Sequence, residues 1–346
     1  MSVGQACSER SALPTRTVTT IKRVRAMKDY AADGAPNAVA APVGVYAAVL
    51  TPLTDRLAPD IPRFVDHCEW LLTNGCDGLA PLGTTGEANS LSVDQRIAMI
   101  EALADSAVPM GRAIVGAGSC ALADAVRVTR AAVDAGCAGV LCLPPFYYKT
   151  PTEDGLFGFF GELIERIGDP RLRLYLYHFP QMSTVPITRD LIARLVTAYP
   201  GTIAGLKDSS GDWRNTAAVI RAFPELAIYS GSEQFLLDNL RQGGAGCISA
   251  TTNMTCRLAR AVFTAHGDGD SDADALQETL TEARLTLQQY PFVAGLKALM
   301  AHRSGAPGWR NILPPLEPLS PMQTEDLLTR LHGFSSVLPG LAAPPA

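Results

Sequence analysis

Lys207 ends the short apolar run Ile203-Ala204-Gly205-Leu206, and the polar turn Asp208-Ser209-Ser210-Gly211-Asp212 follows it. Burying an ammonium without a partner is costly, and burial favours a neutral amine. A neutral lysine amine attacks carbonyl carbon, which is Schiff-base chemistry. The competing reading is a strand-end lysine that reaches solvent, the commoner fate of lysines in general. Other reactive residue types close other apolar runs. Gly83-Thr84-Thr85-Gly86-Glu87 offers two hydroxyls and consecutive backbone N–H groups, which suits a carboxylate or phosphate; alternatively the turn only caps the helix after it. Tyr177, in Tyr177-His178-Phe179-Pro180, is a proton-transfer group or a core tyrosine with a satisfied hydroxyl. Gly231-Ser232-Glu233-Gln234 forms a polar corner fit for a hydroxylated ligand.

Read together, these groups favour one reaction class. Lys207 attacks the ketone of a small 2-oxo acid, and the hydroxyls and amides of Thr84 and Thr85 hold its carboxylate. Tyr177 moves protons as the imine becomes an enamine, and the enamine adds to, or is released from, an aldehyde. The protonated imine is the electron sink, so this chemistry requires no metal or organic cofactor. The five histidines (67, 178, 266, 302 and 332) are scattered, and no metal site is expected.

The elements that must position these groups follow a regular beat from Pro42 onward. Apolar runs at 44–50, 78–82, 113–116, 139–143, 172–177, 203–207, 226–229 and 246–249 alternate with amphipathic stretches such as 61–74, 93–106, 121–135, 156–167, 189–198 and 235–242. Eight short strands alternating with helices predict an α/β fold, a (β/α)8 TIM barrel over residues 41–270. A doubly wound sheet is the structural alternative, but its usual G-x-G-x-x-G turn is absent after the first run, which ends in Leu50-Thr51-Pro52-Leu53. In a barrel, active sites form at the C-terminal ends of the strands, where all the groups above lie. Helical patterns at 273–289, 292–303 and 323–331 predict a C-terminal helical appendix over 271–335, followed by a tail at 336–346. Residues 1–40 are basic and lack an apolar period; they read as an extension without stable fold, or as a start assigned ahead of Met27, and not as a secretory signal.

Composition sets further bounds. The chain has 346 residues, 47% of them hydrophobic, and a formal net charge of −5, which gives no electrostatic case for nucleic acid or an anionic membrane. No run reaches the length of a membrane span. Eight cysteines without C-x-x-C spacing read as reduced thiols of a cytoplasmic protein.

Three motifs in this order, Gly83-Thr84-Thr85-Gly86-Glu87, Tyr177-x-x-Pro180 and Gly205-Leu206-Lys207-Asp208, resemble those of the dihydrodipicolinate synthase / N-acetylneuraminate lyase family over residues 42–335. The resemblance implies a (β/α)8 barrel with a helical appendix, class I aldolase chemistry on pyruvate, and a homotetramer built as a dimer of dimers. It assigns the Schiff base to Lys207, the proton relay to Tyr177, and the pyruvate carboxylate to Thr84 and Thr85 beside Gly83. It makes Tyr148, in Pro144-Pro145-Phe146-Tyr147-Tyr148-Lys149, the tyrosine that enters a neighbouring subunit's site. Ser209, Glu233 and Ala250 match positions that contact the aldehyde half, and Ser249 and Met182 complete the expected binding set.

One departure concerns the substrate. The dihydrodipicolinate synthases carry an arginine two positions after Tyr-x-x-Pro, where it grips the second substrate's carboxylate; here Met182 stands there. Methionine lacks the arginine's fork of donors. The sialic acid lyases and some sugar-acid aldolases have an apolar residue at this position, so the resemblance leans towards reversible cleavage of a 2-oxo-3-deoxy sugar acid, or a similar hydroxylated 2-oxo acid, to pyruvate and an aldehyde. The alternatives are a 4-hydroxy-tetrahydrodipicolinate synthase acting on pyruvate and aspartate semialdehyde, and a 2-oxo acid sensor without turnover.

Overall fold

The computed structural model describes residues 42–339 and residue 341. The expected basic extension over 1–40 lies outside the described residues, as does most of the tail. Eight strands follow in chain order: β1 (Gly44–Ala48), β2 (Gly78–Ala80), β3 (Ile114–Gly116), β4 (Gly139–Cys142), β5 (Leu174–His178), β6 (Ile203–Asp208), β7 (Ala227–Ser230) and β8 (Gly246–Ser249). All neighbours pair in parallel in the order β2-β1-β8-β7-β6-β5-β4-β3. A parallel bridge between Leu79 and Ala113 returns β3 to β2 and closes the ring. The fold is a (β/α)8 TIM barrel with a C-terminal helical part.

Several strands are shorter than their apolar runs. β2 stops at Ala80 because Pro81 has no N–H for the ladder and Leu82 turns to a left-handed φ of 60°. β1 stops at Ala48, and the Leu50 N–H goes instead to Asn253 Oδ1 at 3.2 Å. Two barrel helices not named from periodicity, Trp213–Ala222 and Thr252–Asp268, follow β6 and β8. The first is started by Asp212, whose carboxylate accepts from Arg214 N at 3.0 Å.

Side chains alternate between the barrel lumen and the helix layer. Tyr46, Ile114, Leu141, Tyr175, Tyr177, Tyr229 and Ile248 pack together inside. Val115, Val140, Leu174, Leu176, Leu206 and Ile228 face the helices. On β6 strict alternation from outward-facing Ile203 would aim Lys207 outward. A register shift opposite Leu174 and Tyr175 places Ile203 against Leu174 but Gly205 against Tyr175, so Ala204 is the extra residue of a bulge. Beyond the bulge Leu206 faces out and Lys207 faces the lumen.

Gly205 also has a packing reason. A Cβ there would sit 2.8 Å from the Tyr175 ring and closer still to the Ala227 carbonyl. Gly205→Ala is expected to destabilise the protein by about 1–3 kcal/mol through overpacking, read as a lower urea midpoint. An unchanged midpoint would mean that β6 can lift off Tyr175 without loss.

The C-terminal helices Ala273–Leu287, Phe292–Ser304 and Pro321–Leu331 share an apolar cluster with Leu50 and Ala250, just past β1 and β8, and with Met254 on the helix after β8. The seam also buries His67. Its Nε2 donates to Asn253 Oδ1 at 2.8 Å, while Asn253 Nδ2 donates to the carbonyls of Ala48 and Ala250. The two carbonyls fix the amide's orientation, so Nε2 carries the proton, and Nδ1 has no partner. Burial holds the His67 pKa down to about 3. The unfolded state, with a pKa near 6.5, therefore takes the proton first. Stability is full above about pH 6.5 and declines as pH falls towards 3, by about 1.4 kcal/mol per pH unit for this group. Urea midpoints measured between pH 7 and 5 should fall in the wild type and flatten in His67→Gln. Equal slopes would contradict this.

Among the described cysteines none forms a disulfide; five are buried, Cys137 is half-buried and Cys120 is exposed. No helix among the described residues is long and apolar enough to cross a membrane.

Candidate active site

Lys207 is 5% exposed and stands in register between Tyr177 on β5 and Tyr229 on β7. Its Nζ lies 4.4 Å from the centroid of the Tyr177 ring. A ring face attracts a cation but does not neutralise it. Two other basic side chains, buried Lys297 and mostly buried Arg284, each meet a buried carboxylate, Glu87 and Glu233 respectively. Among the described residues no such carboxylate pairs with Lys207. Asp208, next in sequence, faces the helix layer. It accepts from Ser210 N, Asn215 Nδ2 and Thr216 Oγ1 at 2.8–2.9 Å, which shapes the turn after the lysine.

The turn after β2 lies across the barrel mouth. Gly83, Thr84 and Tyr177 line one pocket, with Leu82, Gly116 and Leu141 among its other walls. Thr84 Oγ1 is buried without a hydrogen-bond partner. The turn closes on itself through Gly86 N and Ala88 N to Gly83 O and Glu87 N to Thr84 O. Among the described residues the N–H groups of Thr84 and Thr85 meet no protein acceptor. An orphaned hydroxyl and free amides in a pocket lacking acidic walls suit an anionic oxygen. Thr85 is buried beside them.

Other expected binding residues lie elsewhere. Glu233 is 0% exposed. Its carboxylate accepts from Ser249 Oγ, Thr251 Oγ1 and Thr255 Oγ1, and Arg284 Nη1 lies at 3.4 Å. It therefore has no free oxygen for a ligand hydroxyl, and the polar corner after β7 is an internal network. Ser249 shares the outward parity of Cys247, so its side chain points into that network and not into the lumen. Ala250 places its methyl in the seam cluster with Leu50 and Met254. Ser249 is turned towards the helices by strand alternation, whereas Glu233 and Ala250 lie beyond their strands and are taken up in packing against the C-terminal helices.

Ser209 stands at the mouth against Gly231, with its N–H on His178 O at 2.8 Å. Met182 is 59% exposed on the four-residue helix Pro180–Ser183. Gln181 Nε2 donates from that helix to Ser210 O, joining it to the turn after Lys207. The loop beyond is tied back by Ile187 N, which donates to His178 Nδ1 at 3.0 Å; burial keeps the His178 pKa low, so the ring keeps this acceptor. Tyr148 is 78% exposed on the loop after β4, in edge-to-face contact with Tyr147 and apart from the threonine–tyrosine pocket of its own chain.

Sequence reasoning missed Arg96, which is 3% exposed and donates to the carbonyls of Gly116 and Gly118 on the pocket wall. A cation in step with Met99, Ile100 and Leu103 on one helix face was the available signal. Among the described residues no three His, Cys, Asp or Glu side chains converge as metal ligands.

Fold and site together define a (β/α)8-barrel enzyme whose candidate groups sit at the C-terminal ends of the strands and in the turns that follow them. The model of the dihydrodipicolinate synthetase family matches residues 41–332. The chain belongs to this family, whose members are lyases and aldolases. A relative from Chloroflexus aurantiacus, described as an uncharacterized DapA-like lyase, is 35% identical over 303 residues, covering 87% of this chain and 99% of the relative. The crystal structure of dihydrodipicolinate synthase from Agrobacterium tumefaciens is 29% identical with a TM-score of 0.78, covering 85% of this chain and 99% of that one. A prophage protein of the same family from E. coli K12, solved in complex with pyruvate, is 26% identical with a TM-score of 0.77, covering 84% and 98%.

Proposed function

We propose that this protein is a Schiff-base, pyruvate-dependent aldolase that reversibly cleaves a 2-oxo-3-deoxy sugar acid or a similar hydroxylated 2-oxo acid. The observation that carries the reading is the buried, carboxylate-free Lys207 against Tyr177, in whose pocket Thr84 leaves a hydroxyl unmatched. Pyruvate bound to the E. coli relative supports the same 2-oxo acid here.

In the cleavage direction Lys207 Nζ adds to C2 of the substrate, and loss of water leaves a protonated imine. The substrate's 4-hydroxyl gives up its proton to the Tyr177 side of the pocket. The C3–C4 bond breaks, its electron pair enters the imine as an enamine, and an aldehyde leaves. Protonation at C3 and hydrolysis release pyruvate and restore the amine. Thr84 and Thr85 hold the carboxylate throughout. Tyr148, exposed on its own chain, completes the hydroxyl relay of a neighbouring subunit in a homotetramer. No cofactor takes part in this scheme.

Met182 sets the substrate lean, because a thioether on the rim offers no fork of donors to a second carboxylate. The resemblance to the Agrobacterium synthase supports the alternative, condensation of pyruvate with aspartate semialdehyde. A panel of 2-oxo-3-deoxy acids assayed for pyruvate release tests the choice. Release from a sugar acid, with poor use of aspartate semialdehyde, is expected. Efficient condensation with aspartate semialdehyde would overturn the substrate reading. Binding of pyruvate with no borohydride-trapped adduct would favour a sensor.

A further inference from the structure

The turn that carries Thr84 and Thr85 begins and ends in strain. Leu82 and Glu87 both hold left-handed backbone conformations, with φ of 60° and 56°. Non-glycine residues persist there only where their surroundings over-determine the backbone. Among the described residues, one side-chain bond reaches the turn from the barrel, Thr51 Oγ1 to Gly86 O at 2.7 Å. The remaining anchorage comes from the C-terminal helical part. Glu87, 4% exposed, accepts from Leu313 N at 2.7 Å, and its other carboxylate oxygen faces Lys297 Nζ. Lys297, 1% exposed on the helix Phe292–Ser304, directs its hydrogen bond to Asn311 O at 2.7 Å. Asn311 Nδ2 in turn reaches Leu53 O, on the loop after β1, at 3.2 Å. One short C-terminal segment thus grips the loops after both β1 and β2.

A fully buried ion pair is a poor source of stability compared with apolar residues of the same shape, so its use here is geometric. We infer that Lys297 is a positioning residue for recognition of the 2-oxo acid carboxylate: through Glu87 it fixes the turn that presents the Thr84 and Thr85 N–H groups and the Thr84 hydroxyl. This deepens the Schiff-base reading and rests on it. Lys297 itself touches no substrate. Its effect falls on ground-state grip of the acid and leaves the amine chemistry at Lys207 intact.

Borohydride trapping of pyruvate on Lys207, followed by intact mass over a range of pyruvate concentrations, separates the two. Lys297→Met alone strands a buried carboxylate and can fail to fold. The decisive variant is the double substitution Glu87→Gln with Lys297→Met, in which the new amide oxygen still accepts from Leu313 N. Its half-saturating pyruvate should rise ten-fold or more, with the same trapped fraction as wild type at saturation. Leu299→Ala loosens the same helix without touching the pair and should keep the wild-type half-saturation. Three results would overturn the inference. One is a folded double variant within two-fold of wild type, another is an equal shift in Leu299→Ala, and the third is a double variant that fails to fold while Leu299→Ala folds. No adduct in the wild type would defeat the Schiff-base reading itself, a result distinct from an adduct with unchanged half-saturation.

Discussion

Lys207→Ala is expected to reduce turnover to assay background and to remove the adduct that borohydride and pyruvate leave on the wild type. Among the described residues the other two lysines are engaged elsewhere, Lys297 with Glu87 and Asn311 and Lys149 with the Phe146 carbonyl. The same substitution should leave the fold intact. Lys207 forms no ion pair among the described residues, so alanine leaves no buried carboxylate without its partner. Its melting temperature should hold or rise, as is common where a reactive site is bought with stability. Lys297→Met should behave oppositely, losing about 3–5 kcal/mol because Glu87 stays buried without its partner. A pyruvate adduct that survives in Lys207→Ala would place the covalent chemistry on another lysine.

Tyr177→Phe should lower kcat by about 10²–10⁴-fold with little change in KM, the range for loss of a positioned proton-transfer group. The substitution is selective because phenylalanine keeps both ring contacts, the face towards Lys207 Nζ and the stack on Phe179 at 5.8 Å. Only the hydroxyl is lost. Single-turnover kinetics should show imine formation retained and the later proton-dependent steps slowed. A loss under ten-fold would reduce Tyr177 to a packing residue that orients the lysine.

The reach of the sequence differs from residue to residue. The eight-fold alternation was legible because each strand and helix is specified by its own periodicity, and runs such as 203–207 carry their reactive residue at the end. Pro81 explains the early end of β2, and that too was present in the sequence. Glu233 was misread because a glutamate after a strand looks the same whether it faces a ligand or an arginine. Its partner Arg284 lies on a C-terminal helix and is brought beside it only when that helix docks. Arg96 was missed because its partners are backbone carbonyls, which leave no trace in side-chain chemistry.

By itself the sequence determined the order and type of the elements, the lysine at the end of the sixth strand, and the hydroxyls at the ends of the second and fifth. These follow from local pattern and residue chemistry, which need no distant partner. The tertiary structure decided which of the buried polar groups are free. Glu87 and Glu233 are consumed by cations from the C-terminal helices, whereas among the described residues Thr84 Oγ1 is left unmatched and no carboxylate pairs with Lys207. It also decided which way the lysine points. The bulge at Ala204 arises from pairing with β5, and without that one-residue shift the alternation begun at Ile203 would carry Lys207 away from the lumen.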